Sequence, residues 1–438
     1  MNTRQLGFWE TMCEIAHDGF NGTGMVLQVT RVRGPLREEL VRTSLVVLAR
    51  RHPLLRARLR HHPSASSLEV DEHPGPPPLR TLARTDETQW MRIAEDELCR
   101  KFVAEDGALY RVVLVLDAQG RSSELVMVFH HVISDGISVM RFASDLLSLC
   151  AAAASGTETS AGPPLPMLPA VEDLLPGSRS WAGFLARQVL DVALGPKPAP
   201  IGYADHAPIE ARRTRSIYRV VSETQLSRLA QRCQEERTTI GGSLNAALMV
   251  AAAEVFGIPS PSKANVSSAV SLRKSCAPEI GTEHFGCYVT VLLTKHTIDP
   301  ARSFWELSRD CREQLDGQMR ARRFQPKKFS KGLLTTGARN VLQQGDRRRQ
   351  FTMGYVVSNL GRLDLPQRHG PFHVEEMHFG TSRHAGDYAL GLNVVTVFDR
   401  MFCAFGYESP LVSEASANRI VDRVIGLLDE VSAAPLGG

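Results

Sequence analysis

The chain has 438 residues, of which 43% are hydrophobic and 22% are charged, and its formal net charge at pH 7 is +4. This composition is typical of an ordinary globular protein with two or three folding units, and so small a charge excludes nucleic-acid binding driven by bulk electrostatics. The eight cysteines form no C-x-x-C pair, which argues against a zinc ribbon, a redox dithiol or a disulfide scaffold.

The predicted elements of the first part of the chain mix helix and strand. In chain order they are a helix over Thr3 to Asp18, a strand over Met25 to Val32, a helix over Leu36 to Arg51, an extended segment over Leu54 to Arg60, strands over Tyr110 to Asp117 and Glu124 to His130, and a helix over Ile137 to Ala154. The unbroken apolar run before His130 predicts a strand that is buried on both faces.

Residues 156–210 are rich in Gly, Ser, Thr and Pro and are predicted to be a linker, with a candidate helix over Trp181 to Leu194. The patterns that follow again alternate between the two kinds of element. They predict helices over Ser222 to Glu236, Thr239 to Phe256 and Glu414 to Val431, and strands over Ser216 to Val221, Val266 to Leu272, Tyr288 to Lys295, Phe351 to Ser358, Leu390 to Phe398 and Met401 to Glu408.

Each half of the chain is long enough to bury its own core. The sequence therefore predicts an α/β protein with an N-terminal lobe over residues 1–155, a linker over 156–210 and a C-terminal lobe over 211–438, with a ligand cleft between the lobes. No secretory signal is visible near Met1, and the most apolar window, Leu244 to Ile258, is too short to cross a bilayer. We expect a cytoplasmic protein with no membrane span.

Two adjacent histidines, His130 and His131, follow the second apolar strand. Neighbouring strand residues point to opposite faces, so one ring should face a cavity and the other should support the strand end. A neutral imidazole in a cavity can act as a general base, which typically accelerates a reaction about a hundred- to ten-thousand-fold. A metal site is disfavoured because two diverging rings do not converge on one ion.

Asp135 and Gly136 stand between the histidines and the next helix. Three roles are open for Asp135, namely orienting the imidazole, capping the helix, and pairing with an arginine elsewhere. Gly136 would allow a tight turn or a close backbone approach.

The segment from His130 to Gly136 reads H-H-x-x-x-D-G and is similar to the active-site signature of the condensation and coenzyme A-dependent acyltransferase superfamily. Other stretches resemble the same superfamily in the expected order, namely Arg51 to Arg58, Phe102 to Arg111, Ser271 to Arg273, His284 to Val289 and Val357 to Gly361. The last resembles the S-N-x-G segment of acyltransferases of the phthiocerol dimycocerosyl transferase and alcohol acetyltransferase type. The plant D-F-G-W-G signature is not present, which favours free-standing bacterial enzymes.

The resemblance implies a two-lobed fold like chloramphenicol acetyltransferase, with an active-site tunnel between the lobes. It implies that His131 is the general base, that His130 and Gly136 complete the motif, and that Asp135 is structural, with Arg273 as its salt-bridge partner. Ser358 or Asn359 would line the tunnel near the oxyanion, although both residue types also suit a simple turn after a strand.

The resemblance further implies that no cofactor is bound and that a coenzyme A or phosphopantetheine thioester is the co-substrate. The donor would be an acyl-CoA or an acyl carrier protein, and the acceptor a small molecule with a hydroxyl group. A basic region is either solvated surface or a docking site for an acidic carrier protein or coenzyme A phosphates; it comprises Arg320 to Arg323, Lys327-Lys328 and Arg347 to Arg349.

We therefore expect direct acyl transfer to a hydroxyl, giving an ester in secondary-metabolite or complex-lipid biosynthesis, without an acyl-enzyme. No G-x-S-x-G motif occurs, which disfavours a covalent serine hydrolase. Two alternatives stay open, namely a free-standing peptide condensation enzyme that forms an amide, and a non-catalytic module that docks a carrier protein.

Overall fold

The structure is a computed structural model and describes residues 2–103, 107–177, 180–183, 185–186, 197–321 and 326–433. Most of the predicted helix over Trp181 to Leu194 lies outside these residues. Within them the chain forms two six-stranded sheets and one three-stranded sheet, with helices packed against the larger two.

The first part of the chain alternates between short strands and helices. In chain order its elements are β1 (Thr3–Gln5), α1 (Phe8–Gly19), β2 (Val26–Arg33), α2 (Glu38–Arg51), β3 (Ala57–Arg60), β4 (Ser67–Val70), β5 (Leu79–Ala83), α3 (Gln89–Leu98), β6 (Tyr110–Leu116), β7 (Ser122–Phe129), α4 (Gly136–Ala154) and the single turn α5 (Val171–Leu174). The predicted helix over Thr3 to Asp18 is wrong at its start, because Thr3 to Gln5 pair with β4 as a strand.

The elements of the second part follow the same alternation. They are β8 (Arg213–Val221), α6 (Glu223–Glu235), α7 (Ile240–Phe256), β9 (Ser262–Ser271), β10 (Val289–Ile298), α8 (Phe304–Arg320), α9 (Lys331–Arg348), β11 (Gly354–Arg362), β12 (Arg368–His369), β13 (Phe372–Thr381), β14 (Tyr388–Val397), β15 (Arg400–Ser409) and α10 (Glu414–Ala433).

The first large sheet has the order β12-β13-β2-β7-β6-β5. Strand β7 lies inside it, and its alternate residues enter different cores. Leu125, Met127 and Phe129 pack in the cluster that contains α2 and α4, whereas Val126 and Val128 pack in the cluster that contains α3. The prediction of a strand buried on both faces is confirmed, and this double burial fixes the point at which the histidines leave the sheet.

The second large sheet has the order β10-β9-β11-β14-β15-β8. One face packs on α7 and α10, where Leu390, Leu392 and Val394 of β14 are buried. The alternate residues of β14 point the other way, and Val395 there belongs to the core of the first lobe. We call this second surface the inter-lobe face; it carries Ser267, Val356, Ser358, Gly391, Asn393 and Val395. The predicted two-lobed α/β fold is confirmed.

One strand crosses from the second part of the chain into the first sheet. Strand β13 pairs antiparallel with β2 from Thr381↔Val26 to His373↔Arg33, and β12 lies outside it. The predicted assignment of all of residues 211–438 to the C-terminal lobe is therefore wrong for residues 368–381. The physical reason is that β2 would otherwise expose an unpaired edge, which β13 covers.

Helix α4 begins at Gly136 and is capped by Asp135. By length and composition it is apolar enough to cross a membrane, and so is the pair α6 and α7, which is bent by 100° at its break. Helix α4 packs against α2, β2 and β13, with residues such as Phe142, Leu146 and Leu147 fully enclosed. It is the core helix of the first lobe.

Glu172 joins the linker region to the start of α1. Its side chain is buried, and Oε1 accepts a hydrogen bond from the backbone N–H of Trp9 at 2.9 Å, while Oε2 has no hydrogen-bond partner among the described residues. Burial raises the pKa of Glu172 to about 7, and the nearby carboxylate of Glu10 adds to the shift.

We expect Glu172→Gln to stabilise the protein at pH 8. A carboxyl group whose folded pKa is raised favours folding below its unfolded pKa, and this contribution is lost as the pH rises through the folded value near 7. Glutamine mimics the protonated acid at every pH, so the variant should gain on the order of 1–3 kcal/mol at pH 8 and little at pH 4. Urea denaturation at both pH values measures this difference, and equal gains at both would contradict it.

Candidate functional site

The two histidines lie in the short loop between the end of β7 at Phe129 and the start of α4 at Gly136. His130 is buried and His131 is half-buried, so their side chains have different surroundings. The division of roles between the two rings stays a prediction.

His130 holds the loop together from inside. Its Nδ1 accepts a hydrogen bond from the backbone N–H of Val132 at 3.1 Å, and its ring centroid lies 4.2 Å from that of His17 in α1. Burial holds the pKa of His130 well below its ordinary value, so the ring stays neutral. A neutral ring whose Nδ1 is an acceptor fits a supporting role rather than a catalytic one.

His131 has its tautomer set by a backbone carbonyl. Nδ1 lies 2.7 Å from the Ser134 carbonyl oxygen, which can only accept, so Nδ1 carries the proton. The lone pair is therefore on Nε2, which forms no hydrogen bond with a described residue, and His131 as a residue is half-buried. This arrangement leaves Nε2 free to take a proton from a bound group.

Cys287 contributes the second contact of the His131 ring. Its Sγ lies 3.7 Å from Nδ1, and it comes from the segment before β10, in the other lobe. Burial lowers the pKa of His131, whereas the Cys287 sulfur and then the Asp135 carboxylate raise it, and the net direction is upward. Burial raises the pKa of the Cys287 thiol well above its usual range, so this sulfur stays protonated at neutral pH.

Asp135 ties the histidine loop to the second lobe. Oδ1 accepts from the backbone N–H of Ser138 at 2.7 Å and caps α4, and Oδ2 accepts from the backbone N–H of Tyr288 at 3.0 Å. The Arg273 guanidinium donates to both oxygens at 3.3 Å. The predicted ion pair and helix cap are thus both present, and Asp135 forms no hydrogen bond with the His131 ring.

Arg273 anchors more than this carboxylate. Its Nη1 donates to the backbone carbonyls of Gly281 and His284 at 2.8 and 3.0 Å, and its Nη2 donates to Ser138 Oγ at 2.8 Å. Ser138 Oγ in turn donates to the Gly286 carbonyl oxygen at 2.8 Å. The segment before β10, which carries Cys287, is therefore held firmly against the start of α4.

Gly136 is a point of close approach between the lobes. A Cβ atom built there would lie 2.7 Å from Leu360 Cδ2 of β11, so a larger residue would require the Leu360 side chain to move. Its backbone φ is not positive, so close approach rather than a special turn explains the glycine. Leu360 follows the predicted pair Ser358 and Asn359, which brings that segment beside the histidine loop.

Ser358 and Asn359 have different surroundings. Ser358 lies on the inter-lobe face, between Ala269 of β9 and Asn393 of β14, and is half-buried. Asn359 Oδ1 accepts a hydrogen bond from the Gly361 backbone N–H at 2.9 Å, which is the turn interaction that such a residue often makes. Neither is hydrogen bonded to His131, and a place beside the oxyanion stays a prediction for both.

Two other features of the surface carry clustered charged side chains. A surface cavity of about 650 Å³ lies at the far edge of the first sheet, where Arg33 pairs with Glu375 and Arg84 with Glu124, so its charges are already matched. Glu14, Asp18 and His61 place potential metal ligands within 4.8 Å of one another.

The cluster of Glu14, Asp18 and His61 already has a cation beside it. Lys331 Nζ lies 2.9 Å from Glu14 Oε1 and also donates to Ser66 Oγ at 2.7 Å. An ion pair that links α9 to α1 accounts for these residues without a metal.

Sequence reasoning did not assign roles to Cys287 and Ser138. Cys287 lies within a segment singled out by the resemblance and Ser138 lies two residues after the histidine motif, yet nothing in the pattern shows that residues 138 and 286 meet. Their position next to the matched motifs was the only available signal.

Comparison with known proteins identifies similar chains along the whole length. A family model described as "Condensation domain" matches residues 21–437. The chain superposes on polyketide synthase associated protein 5 from Mycobacterium tuberculosis with a TM-score of 0.69 and 16% identity, covering 98% of both chains. With the TRI3 trichothecene 15-O-acetyltransferase from Fusarium sporotrichioides the TM-score is 0.75 and the identity 12%, covering 98% of this chain and 95% of the other.

A curated relative matches over a shorter stretch. Phosphinothricin tripeptide synthetase PhsC of Streptomyces viridochromogenes is 31% identical over 142 residues, which is 31% of this chain but only 13% of that protein. The structural similarities, all at low identity, bear on the fold.

Proposed function

Because the chain belongs to the condensation-domain family, we propose that it transfers an acyl group from a coenzyme A or carrier-protein thioester to a hydroxyl acceptor. The observation that carries this proposal is the His131 ring, whose Nδ1–H is engaged by the Ser134 carbonyl and whose Nε2 is free. An unprotonated nitrogen between two lobes is the group needed to deprotonate an alcohol as it attacks a thioester.

The proposed reaction has two steps. Nε2 of His131 takes the proton of the acceptor hydroxyl while its oxygen forms a bond to the thioester carbonyl carbon, giving a tetrahedral oxyanion. The C–S bond then breaks, and the imidazolium returns the proton to the departing sulfur, so the products are an ester and a free thiol. The Ser134 carbonyl and the Asp135 carboxylate stabilise the positive ring between the steps.

No acyl-enzyme is needed. The nearest cysteine to the base, Cys287, is buried and has a raised pKa, which keeps it as a poorly nucleophilic thiol. His131 Nδ1 faces this sulfur with a proton rather than a lone pair, so the ring is not placed to activate it.

The proposed partners are an acyl-CoA or an acyl carrier protein and a small hydroxyl compound, in a cytoplasmic pathway of secondary-metabolite or complex-lipid biosynthesis. In support of an acidic donor, α9 ends in Arg347, Arg348 and Arg349, all exposed, and Lys328 lies just before that helix. Part of the basic region, Arg322 and Arg323, falls outside the described residues. The cations that are described would attract phosphates or an acidic carrier surface.

We expect the rate to fall in acid with a midpoint above the ordinary histidine value of about 6.5. Only the neutral ring can accept a proton, and the pKa of His131 is raised, so activity is lost as the pH drops through that raised value. Cys287→Ala should move the midpoint to lower pH, because the neutral sulfur is a weak acceptor for Nδ1–H and this hydrogen bond is stronger to the protonated ring.

The measurement is kcat/KM as a function of pH for the parent and the variant. Cys403→Ala is the matched control, since Cys403 is a fully buried thiol in the core of the second lobe and lies in a different core from the His131 loop. A parent midpoint at or below 6.5 would contradict the expected sign.

An amide-forming condensation enzyme is the second candidate. The match to part of a tripeptide synthetase favours it, because that relative's name describes peptide synthesis. The deciding experiment offers purified protein a panel of acyl thioesters with an alcohol and an amine in competition, and identifies products by mass. Ester products support our proposal, and amide products replace it with the second candidate.

A docking module without catalysis is the third candidate. It would bind a carrier protein and give no product with any thioester in the panel. A free base nitrogen has no purpose in such a module, which is why we place it last.

A further inference from the structure

Arg383 is an unusual buried arginine. Five arginines are buried among the described residues, and four of them form ion pairs with carboxylates, namely Arg111, Arg212, Arg232 and Arg273. Arg383 is only 8% exposed but forms no ion pair with any described carboxylate. A buried cation without a partner is costly, which points to an anion that is supplied from outside the chain.

The guanidinium of Arg383 has unused donors. Nε is buried without a hydrogen-bond partner among the described residues, and Nη2 reaches only Thr381 Oγ1 at 3.4 Å. The charged carbon lies 4.9 Å from the centre of the Tyr388 ring, over its face. Because the Nε and Nη2 edge faces Gly391, the donor left for an oxygen of a carboxylate or phosphate is Nη1, which forms no hydrogen bond to a described residue.

The nearby acids are already engaged. Asp387 Oδ1 accepts from the Tyr388 backbone N–H at 2.9 Å, and Glu408 accepts from the Gly386 N–H at 2.9 Å and pairs with Arg212. Burial raises the pKa of Asp387, and it raises that of Glu408 to about 7. The Arg383 charge acts in the opposite direction and lowers the pKa of both groups, but neither carboxyl group forms an ion pair with the guanidinium.

The guanidinium of Arg383 lies directly against the backbone of Gly391. A Cβ atom at Gly391 would lie 2.6 Å from Arg383 Nε and 3.0 Å from its Nη2, so the group rests directly on the glycine. Gly391 is in the middle of β14, where glycine weakens a strand and often marks the close approach of another group. The Arg383 backbone is fixed as well, since its N–H donates to Thr214 Oγ1 at 2.7 Å.

The contact between Arg383 and Gly391 is on the same side of the second large sheet as the proposed chemistry. Gly391 lies on the inter-lobe face and pairs with Val356 of β11. Four residues further along β11, Leu360 touches Gly136 at the start of α4. At about 3.3 Å per strand residue, Arg383 lies on the order of 13 Å from the histidine loop, which is within the reach of one substrate molecule.

We propose that Arg383 binds an anionic oxygen group, a carboxylate or a phosphate, on one of the two substrates in the inter-lobe passage. The inference rests on the proposed acyl transfer and adds a substrate class to it. The anion would be at the far end of the acyl chain, on the acceptor, or on the pantetheine arm, and all three share the same chemistry at the guanidinium.

The test compares pairs of probes, of which one member carries an anionic group that the other lacks. Succinyl- and butyryl-N-acetylcysteamine vary the acyl chain, 3-hydroxybenzoate and its methyl ester vary the acceptor, and acetyl-CoA and acetyl-N-acetylcysteamine vary the arm. We expect the parent to favour the anionic member of one pair. Arg383→Gln should lower kcat/KM for that member by about 10- to 100-fold and leave its neutral counterpart nearly unchanged.

Two glycine variants test the contact between Arg383 and Gly391 without removing the charge. Gly391→Ala should displace the guanidinium and reduce the same preference. Gly406→Ala is the matched control, because Gly406 pairs with Gly391 and a Cβ there meets nothing closer than 3.9 Å. The Tm of Arg383→Gln should equal or exceed that of the parent, since an uncompensated buried charge is removed, whereas a purely structural arginine would lower it.

Calorimetric titration with the same probes separates this inference from the proposed function. Tighter binding of an anionic probe by the parent than by Arg383→Gln supports the site even if no probe is turned over, in which case only the proposed acyl transfer fails. A second outcome is that the neutral probes are turned over, and that charged and neutral members bind equally and react at equal rates in both parent and variant. This outcome overturns the anion site and leaves the proposed acyl transfer standing. Absence of both binding and turnover for every probe overturns both.

Discussion

Replacement of His131 by alanine is expected to reduce turnover by about a hundred- to ten-thousand-fold, the usual contribution of a general base. The substitution removes the only ring nitrogen that is free to take the proton of the acceptor. Because His131 is half-buried in a loop fixed by Asp135, its loss should leave the fold and thioester binding largely intact. The measurements are kcat with the best thioester and acceptor, binding of that thioester by calorimetry, and Tm.

His62→Ala is a suitable control for that experiment. His62 is exposed, and its side chain bonds only to Ser64, two residues further along the chain. The control should keep the parent rate. Full activity of the His131 variant would remove the basis of the proposed mechanism.

Replacement of Arg273 by alanine is expected to lower the free energy of unfolding by about 3–5 kcal/mol, the usual cost of leaving a buried charge without its partner. Asp135 is only 4% exposed and would lose the guanidinium that lies 3.3 Å from both of its oxygens. The carbonyls of Gly281 and His284 would lose their donor as well. Urea denaturation measures the change, and kcat should fall with it because the Cys287 segment is released from α4.

An exposed ion pair provides the comparison. Arg228 and Asp429 lie 3.4 Å apart with side chains 47% and 46% exposed, so Arg228→Ala should cost less than about 1 kcal/mol. In a double-mutant cycle, Asp135→Asn combined with Arg273→Ala should cost less than the sum of the single changes. Equal costs for Arg273→Ala and Arg228→Ala would show that the ion pair between the lobes does not stabilise the protein.

The elements that could be predicted from the sequence are those whose own residues carry the signal. Strand β7 has apolar residues at consecutive positions, and α10 repeats Ile420, Val424 and Leu428 on one face. The pair Asp399-Arg400 indicates a turn between β14 and β15, and the structure places this turn one residue earlier, at Phe398 and Asp399, with φ of 52° and 56°. Such hairpin turns need positive φ at both positions.

The elements that were not predicted depend on distant parts of the chain or lack an apolar stripe. Helix α9 buries only Gly345, so its sequence shows no periodic face. Strand β13 carries Glu375 and Glu376 among its apolar residues, and its partner β2 is more than three hundred positions away. Helix α8 has a local signal of its own, the capping box of Ser303 and Glu306, but hydrophobic patterns alone do not reveal it.

The contacts of the site also fall into those that the sequence indicates and those that it does not. The histidine motif and its expected link to Arg273 followed from a resemblance between short segments, and the ion pair is present. The contacts of Cys287 with His131 and of Arg383 with Gly391 join residues from different elements, which no local spacing reveals. An unpaired guanidinium is recognised only once the positions of all neighbouring carboxylates are known.

Strand β13 comes from the second part of the chain but lies in the sheet of the first part, and this restricts how the protein can be divided or recombined. A fragment ending near residue 155 would keep β2 but leave its edge open for pairing with other copies, which favours aggregation. A chimera that takes its C-terminal half from a relative must therefore also replace one strand in the sheet of the recipient lobe. Compatibility at the register from Val26↔Thr381 to Arg33↔His373, more than the length of the linker, will decide whether such a hybrid folds.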